Sequence, residues 1–223
     1  IMENQFHVSS SPHVRDNSST ASIMRDVVIA MVPTAAFGCY QFGLNALLVI
    51  LFTVAACVLA EYLYEKGMKK PITIGDYSAV VTGLILALNM PPQIPVWIPV
   101  LGGIFAIIVV KQLYGGLGQN FMNPALAARC FLLISFAGSM TNFSSARMGY
   151  DSVSTPTPMA LLKATGIERA LSGAAEAQQT FSGTYRFVDM FLGRIPGTIG
   201  EVSTLCLLIG ALYLVVRKVI SLR

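Results

Sequence analysis

Apolar residues in this chain run in long stretches without the alternation of a half-buried strand, and six such stretches are separated by short polar or Pro/Gly-rich segments. They cover about Val27–Phe42, Leu44–Tyr64, Tyr77–Asn89, Val96–Leu113, Pro124–Phe136 and Val202–Val216. Unbroken apolar runs of this length predict helices that are apolar on every face. A helix perpendicular to a bilayer needs roughly 20 residues to cross about 30 Å of hydrocarbon. The third and fifth stretches are only about a dozen residues each. They are expected to be half-spanning or broken helices buried in protein, because irregular backbone at membrane depth must be shielded from lipid.

Composition removes the soluble alternative. With 54% hydrophobic and 12% charged residues and a mean hydropathy of +0.66, the 223-residue chain is too apolar for an ordinary soluble domain. The fold class is therefore an all-α integral membrane protein. Its net charge of +4 sits mainly at the ends of the apolar runs. That distribution signals topology and is not a nucleic-acid footprint. Arg15, Arg25, Lys66, Lys69, Lys70, Lys111, Arg217, Lys218 and Arg223 all fall on one side of a six-crossing map, which the positive-inside rule assigns to the cytoplasm. The map divides the chain into a cytoplasmic N-terminal arm (1–22), a set of transmembrane segments (23–136), an extracytoplasmic loop (137–200) and a last helix (201–223). The arm is polar and Ser-rich, so no cleavable signal peptide is expected there.

Two connections have unusual composition. One is Asn89-Met90-Pro91-Pro92-Gln93-Ile94-Pro95. The other runs from Gly115 to Pro124 and contains Gly118, Asn120 and Asn123; its three glycines permit positive φ, and Asn123 is placed to cap a helix that opens on Pro124. Amides exposed at such a helix start form a partial positive pole. Spacing alone leaves two readings open, a tight turn with a helix cap or an ion or cofactor site. No soluble strand precedes the glycines, so this is not a nucleotide fingerprint.

The outer loop holds a hydroxyl-rich, proline-stiffened turn, Asp151-Ser152-Val153-Ser154-Thr155-Pro156-Thr157-Pro158-Met159-Ala160. Elsewhere the chemistry is sparse. Cys39, Cys57, Cys130 and Cys206 lie singly in separate apolar runs without metal-ligand spacing, and are expected to be buried and reduced. His7 and His13 fit surface or partner contacts. Glu61 and Asp76, near cytoplasmic helix ends, are expected to be solvated caps, with ion uptake as the minor reading.

Four motifs in order carry a resemblance over essentially the whole chain: Ser10-Ser11-Pro12-His13-Val14-Arg15 with Met24-Arg25-Asp26, the Gly115–Ala125 stretch, the Asp151–Ala160 turn, and Gly193-Arg194-Ile195-Pro196-Gly197-Thr198-Ile199-Gly200-Glu201. Together they resemble the RnfD/NqrB family, membrane subunits of ion-translocating ferredoxin:NAD oxidoreductases and of the sodium-pumping NADH:quinone reductase. The short arm ending Ser-Ser-Pro-His favours the Rnf branch.

The resemblance implies a urea-transporter-like architecture of two five-helix inverted repeats, of which the six stretches would be the first repeat plus the start of the second. It implies FMN joined by a phosphodiester to a threonine, installed outside the cytoplasm by a separate flavin transferase. The family register places that threonine at Thr157, with Asp151, Ser154, Thr155 and Pro158 shaping the loop; Thr155 and Pro156 stand where Gly and Ala are commoner. A second, non-covalent flavin is also compatible. Arg129, inside a short apolar helix, needs an anionic or carbonyl partner or an escape to the cytoplasmic surface, and a flavin phosphate is one such partner. With Asn120, Asn123 and Gly118 it forms a candidate flavin or ion environment. The implied partners are other Rnf-type membrane and peripheral subunits bearing flavin and iron-sulfur carriers, in a bacterial or archaeal cytoplasmic membrane. Two alternatives stand beside this reading, an NqrB-type subunit of a quinone reductase and a small-solute channel without redox role.

Overall fold

The computed structural model describes residues 19–143, 163, 187–193 and 195–220, and within them the chain is helical with no strand. Two long helices come first, α1 (Thr20–Phe42) and α2 (Leu44–Gly67). Ser19 and Ser22 exchange side-chain-to-amide hydrogen bonds of 3.2 and 3.1 Å, a reciprocal cap that fixes where α1 begins. The helices turn back on each other at Gly43, whose φ of 79° suits glycine and disfavours a residue with a Cβ. At about 1.5 Å per residue each is about 35 Å long, enough to cross a bilayer.

The helices that follow are short. A 3₁₀ turn (Ile74–Asp76) leads into α3 (Ser78–Leu88); α4 (Trp97–Phe105) continues as a π-helical segment (Ala106–Gln112); α5 (Pro124–Ser135) and a single turn, α6 (Ala137–Met140), complete this part. Two further helices are α7 (Phe187–Leu192) and α8 (Thr204–Val216). At about 1.5 Å per residue, α3 and α5 are half the length of α1.

Packing follows where small residues let helix axes approach. Gly83 of α3 lies against the backbone of Val54 and the side chain of Cys57, and Gly103 of α4 faces the same cysteine, so α2, α3 and α4 form one block. Gly210 of α8 lies against the carbonyl of Ala30 and seats α8 on α1. That contact is clasped by Asp26, which accepts from Tyr213 Oη at 3.3 Å and from Arg217 Nε at 3.3 Å. The apolar core gathers Val49, Leu86, Met90, Ile94, Ile98 and Leu132 between these helices.

The half-length of the third and fifth helices agrees with the sequence pattern, but their surroundings differ. Nine of the eleven residues of α3 are buried. In α5 only Ala125, Ala128 and Leu132 are, so the expectation of a helix buried in protein holds for one face: among the described residues Ile134 on the other is exposed. The cysteine expectation divides too. Cys57 and Cys206 are buried, Cys39 is half-buried, and Cys130 is exposed on that same uncovered face of α5.

Candidate functional site

The residues between α4 and α5 form a set of turns in which Gly115, Gly116 and Gly118 take φ of 113°, 99° and 85°. Asn123 Oδ1 then accepts from the amide of Ala125 at 3.0 Å, the cap read from the sequence, and Pro124 opens α5. A Cβ on Gly118 would meet no atom within 4 Å, so glycine is required there by backbone conformation and not by space. Gly118→Val is therefore expected to lower stability by about 1–3 kcal/mol, the cost of a β-branched residue held at positive φ. Gly118→Asn should cost clearly less. Thermal unfolding of the purified protein checks both, and a valine variant as stable as the parent would remove the conformational role.

The starts of α3 and α5 meet around a cavity of about 430 Å³, lined by Ser78, Val81, Thr82 and Ile85 of α3, by Lys111, and by Leu117, Asn120, Phe121, Met122, Asn123 and Pro124. Two half-helices thus present N-terminal ends to one space, and their aligned peptide dipoles favour electron-rich groups there. Asn120 and Asn123 are brought to this cavity; Gly118 shapes the turn that carries them. A separate apolar groove beside it includes Phe105, Tyr114, Phe121 and Cys130.

Behind the cavity lies a charge network that sequence reasoning missed. Lys111, expected to mark a cytoplasmic helix end, is 2% exposed, and Glu61, expected to be a solvated cap, is 0% exposed. Lys111 Nζ donates to Glu61 Oε1 at 2.6 Å and to Ser78 Oγ at 2.5 Å. Gln112 Nε2 donates to the same Glu61 oxygen at 2.9 Å and to Glu65 Oε1 at 3.4 Å, and Glu65 is held in turn by the amide and hydroxyl of Thr73. Asp76 does act as a cap, accepting from the Ser78 amide at 2.8 Å and hydroxyl at 2.5 Å.

The π-helical segment explains the inward turn of two consecutive polar residues. A hydrogen bond that skips an extra residue, Leu113 N to Ile108 O at 3.1 Å, belongs to the widened segment, and a Schellman pair, Gly116 N to Lys111 O at 3.0 Å and Gly115 N to Gln112 O at 3.2 Å, ends it. Val110, Lys111 and Gln112 are then all buried. The available signals were Lys111-Gln112 ending an otherwise apolar run and Glu61 and Glu65 at i, i+4 on α2; the distortion that joins them is not encoded in any periodicity.

Arg129 lies farther along α5, away from the cavity. Its Nη1 donates to Asn89 Oδ1 at 2.7 Å and stands 3.6 Å from Glu201 Oε1. The amides of Ile199 and Gly200 donate to the carbonyls of Met90 and Leu88 at 3.0 and 2.8 Å, closing the end of α3 that has no helical partners. Arg129 is thus tied to the entry segment of α8, at the end of α3 opposite Ser78. Of the partners expected for it, a side-chain carbonyl and a carboxylate are the ones found. Asp151, Ser154, Thr155, Thr157 and Pro158, with His7 and His13, lie outside the described residues. Among the described residues there is no cluster of metal-ligating side chains.

Short half-helices meeting at a cavity, a buried ion pair behind it and two helices long and apolar enough to cross a bilayer are the features of an all-α membrane protein. The chain belongs to the NQR2, RnfD, RnfE family, whose model matches residues 7–223. It is 49% identical over 97% of its length to the D-type subunit of the Na(+)-translocating ferredoxin:NAD(+) oxidoreductase complex of Acetobacterium woodii, covering 64% of that protein. It is 43% identical over 99% of its length to the D-type subunit of the proton-translocating ferredoxin:NAD(+) oxidoreductase complex of Clostridium ljungdahlii, covering 65% of it. A third relative, the D-type subunit of the ion-translocating oxidoreductase complex of Halorhodospira halophila, is 34% identical over 94% of this chain and 64% covered. The chain thus spans slightly under two thirds of these relatives.

Proposed function

We propose that this chain serves as the flavin-carrying membrane subunit, of the D type, in an ion-translocating ferredoxin:NAD oxidoreductase. The observation that carries the reading is the 49% identity to a D-type subunit along 97% of the chain. The named relatives include one sodium-translocating and one proton-translocating complex, so identity at this level is compatible with either ion. Partner subunits with flavin and iron-sulfur carriers supply the ferredoxin and nicotinamide sites. The architecture is that of two inverted repeats, and the membrane is the bacterial cytoplasmic one, with the N-terminal arm inside and the 137–200 loop outside, as the basic residues around α1, α2 and α8 favour.

FMN is held through a phosphodiester to Thr157, installed by a flavin transferase acting on the outer loop. A second, non-covalent flavin fits the cavity at the start of α3 and α5. Its volume of about 430 Å³ lies in the range of small-molecule sites. Asn120 Oδ1 is buried without a partner among the described residues, an acceptor waiting for a ring N–H. Phe121 and Met122 supply apolar wall, and Ser78, Thr82 and Asn123 supply polar edge. A bound flavin contributes one- and two-electron transfer. The chain's own contribution is to orient it, to exclude water, and to offer two helix N-termini to the charge it gains.

The test is direct. The complex, purified from its native host and run on a denaturing gel, is expected to show flavin fluorescence at the band of this protein, which a solute channel would lack. A dark band would remove the covalent flavin from the reading.

A further inference from the structure

Lys111 is bonded in a way that a counter-ion alone does not require. Its ammonium has three N–H donors; one goes to Glu61 Oε1 and one to Ser78 Oγ, and the third has no acceptor among the described residues. Both Lys111 and Ser78 line the cavity. Ser78 Oγ passes its own proton to Asp76 Oδ1 at 2.5 Å. Asp76 is half-buried, in a connection whose neighbours Thr73, Gly75 and Tyr77 are exposed. An unbroken line of hydrogen bonds therefore runs from a partly exposed carboxylate, through a hydroxyl, to an ammonium on the cavity wall. The other charged groups close to this line are Glu61 and Glu65 of α2 and Lys70, whose Nζ lies 3.5 Å from the carbonyl of Gln112.

We propose that Lys111 is the proton donor to the reduced occupant of the cavity, and that Asp76 reloads it through the Ser78 hydroxyl; this rests on the reading of the cavity as a flavin site. Two electrons arrive one at a time from a low-potential iron-sulfur donor of the complex. One Nζ–H bond breaks and its proton joins a ring nitrogen, leaving Nζ a neutral amine. Hydronium gives a proton to the Asp76 carboxylate, that proton passes to Ser78 Oγ as the Ser78 hydroxyl proton moves to Nζ, and Asp76 is left a carboxylate again with water released. Glu61 gives the reloading its driving force, because loss of the lysine charge leaves a fully buried carboxylate uncompensated. Proton relays made of ionisable side chains at membrane depth are a recurrent use of such costly residues.

The test uses the whole purified complex and Ser78→Ala, with Ser78→Thr as the variant that keeps the hydroxyl. Acid-released flavin is measured first, and reduction of the cavity flavin by reduced ferredoxin is then followed by stopped-flow absorbance. Ser78→Ala is expected to keep its flavin and to slow the proton-dependent phase at least about tenfold, within the range of general acid catalysis. Added imidazole should restore much of the rate, and Ser78→Thr should behave as the parent. In a Lys111→Met/Glu61→Gln background, which removes donor and carboxylate charge together, the phase should be slow and Ser78→Ala should slow it no further. Full flavin with parental rates in Ser78→Ala overturns the relay alone. A parent complex whose acid-released flavin does not exceed what its partner subunits hold overturns the reading of the cavity, and the relay with it. Slowing that imidazole leaves untouched assigns Ser78 a structural role and also overturns the relay.

Discussion

Thr157→Ala is expected to abolish covalent flavin on this protein while the complex still assembles. A phosphodiester needs the side-chain oxygen itself, and alanine has none. Thr157→Ser keeps the oxygen and loses only a methyl group, so partial attachment is expected if the transferase accepts it. Thr155→Ala should leave attachment largely intact, because the register of the Asp151–Ala160 turn selects the hydroxyl between Pro156 and Pro158. A following proline disfavours helical backbone at the residue before it, which suits a segment that an attaching enzyme must reach. Loss of one hydroxyl and one methyl group from a surface position changes stability by only about 0.5 kcal/mol, so assembly is the control measured alongside. Electron transfer should fail nonetheless, since a relay without its carrier has a gap. Mass spectrometry of the loop peptide decides: an increment of FMN less water on Thr155, or on no residue at all in complex from the native host, sinks the assignment.

Lys111→Met is expected to cost about 3–5 kcal/mol, the usual consequence of removing one partner of a buried ion pair. Glu61 is 0% exposed, its Oε2 has no hydrogen-bond partner among the described residues, and its other oxygen would retain only the amide of Gln112. The same substitution with Glu61→Gln should recover most of the loss, because a neutral amide and a methionine bury no charge. Thermal unfolding in detergent reads both. Were the single variant as stable as the parent, the pair would not be the electrostatic link that joins α2 to the π-helical segment.

The two expectations sit at opposite ends of what can be read from residues in order. Thr157 belongs to a linear motif, where neighbours in sequence are neighbours in chemistry, and no fold is needed to name it. Glu61 and Lys111 are far apart in the chain, and each has an innocent local reading, a carboxylate or a lysine near the end of an apolar run. Nothing in a hydropathy profile separates a charge that escapes to water from one that turns inward to meet its opposite. Arg129 is intermediate. Its depth in an apolar helix announced that it needed a partner, but the partners, Asn89 and Glu201, are brought to it only by the docking of residues 199 and 200 onto the end of α3.

The sequence by itself determined the class of protein, the apolar helices among the described residues and nearly their bounds, except that α1 begins at Thr20 and not Val27, the half-length of α3 and α5, the Asn123 cap and the glycine-dependent turn, because each follows from local composition or backbone preference. The tertiary structure alone decided that Lys111, Glu61, Ser78 and Asp76 form one hydrogen-bonded line and that the line ends at a cavity between two helix N-termini. A π-helical widening that turns Val110, Lys111 and Gln112 inward together makes that possible. Neither the widening nor the meeting of Lys111 with Glu61 follows from local backbone preference, because the two residues lie on different helices and meet only once α2 and the π-helical segment have packed.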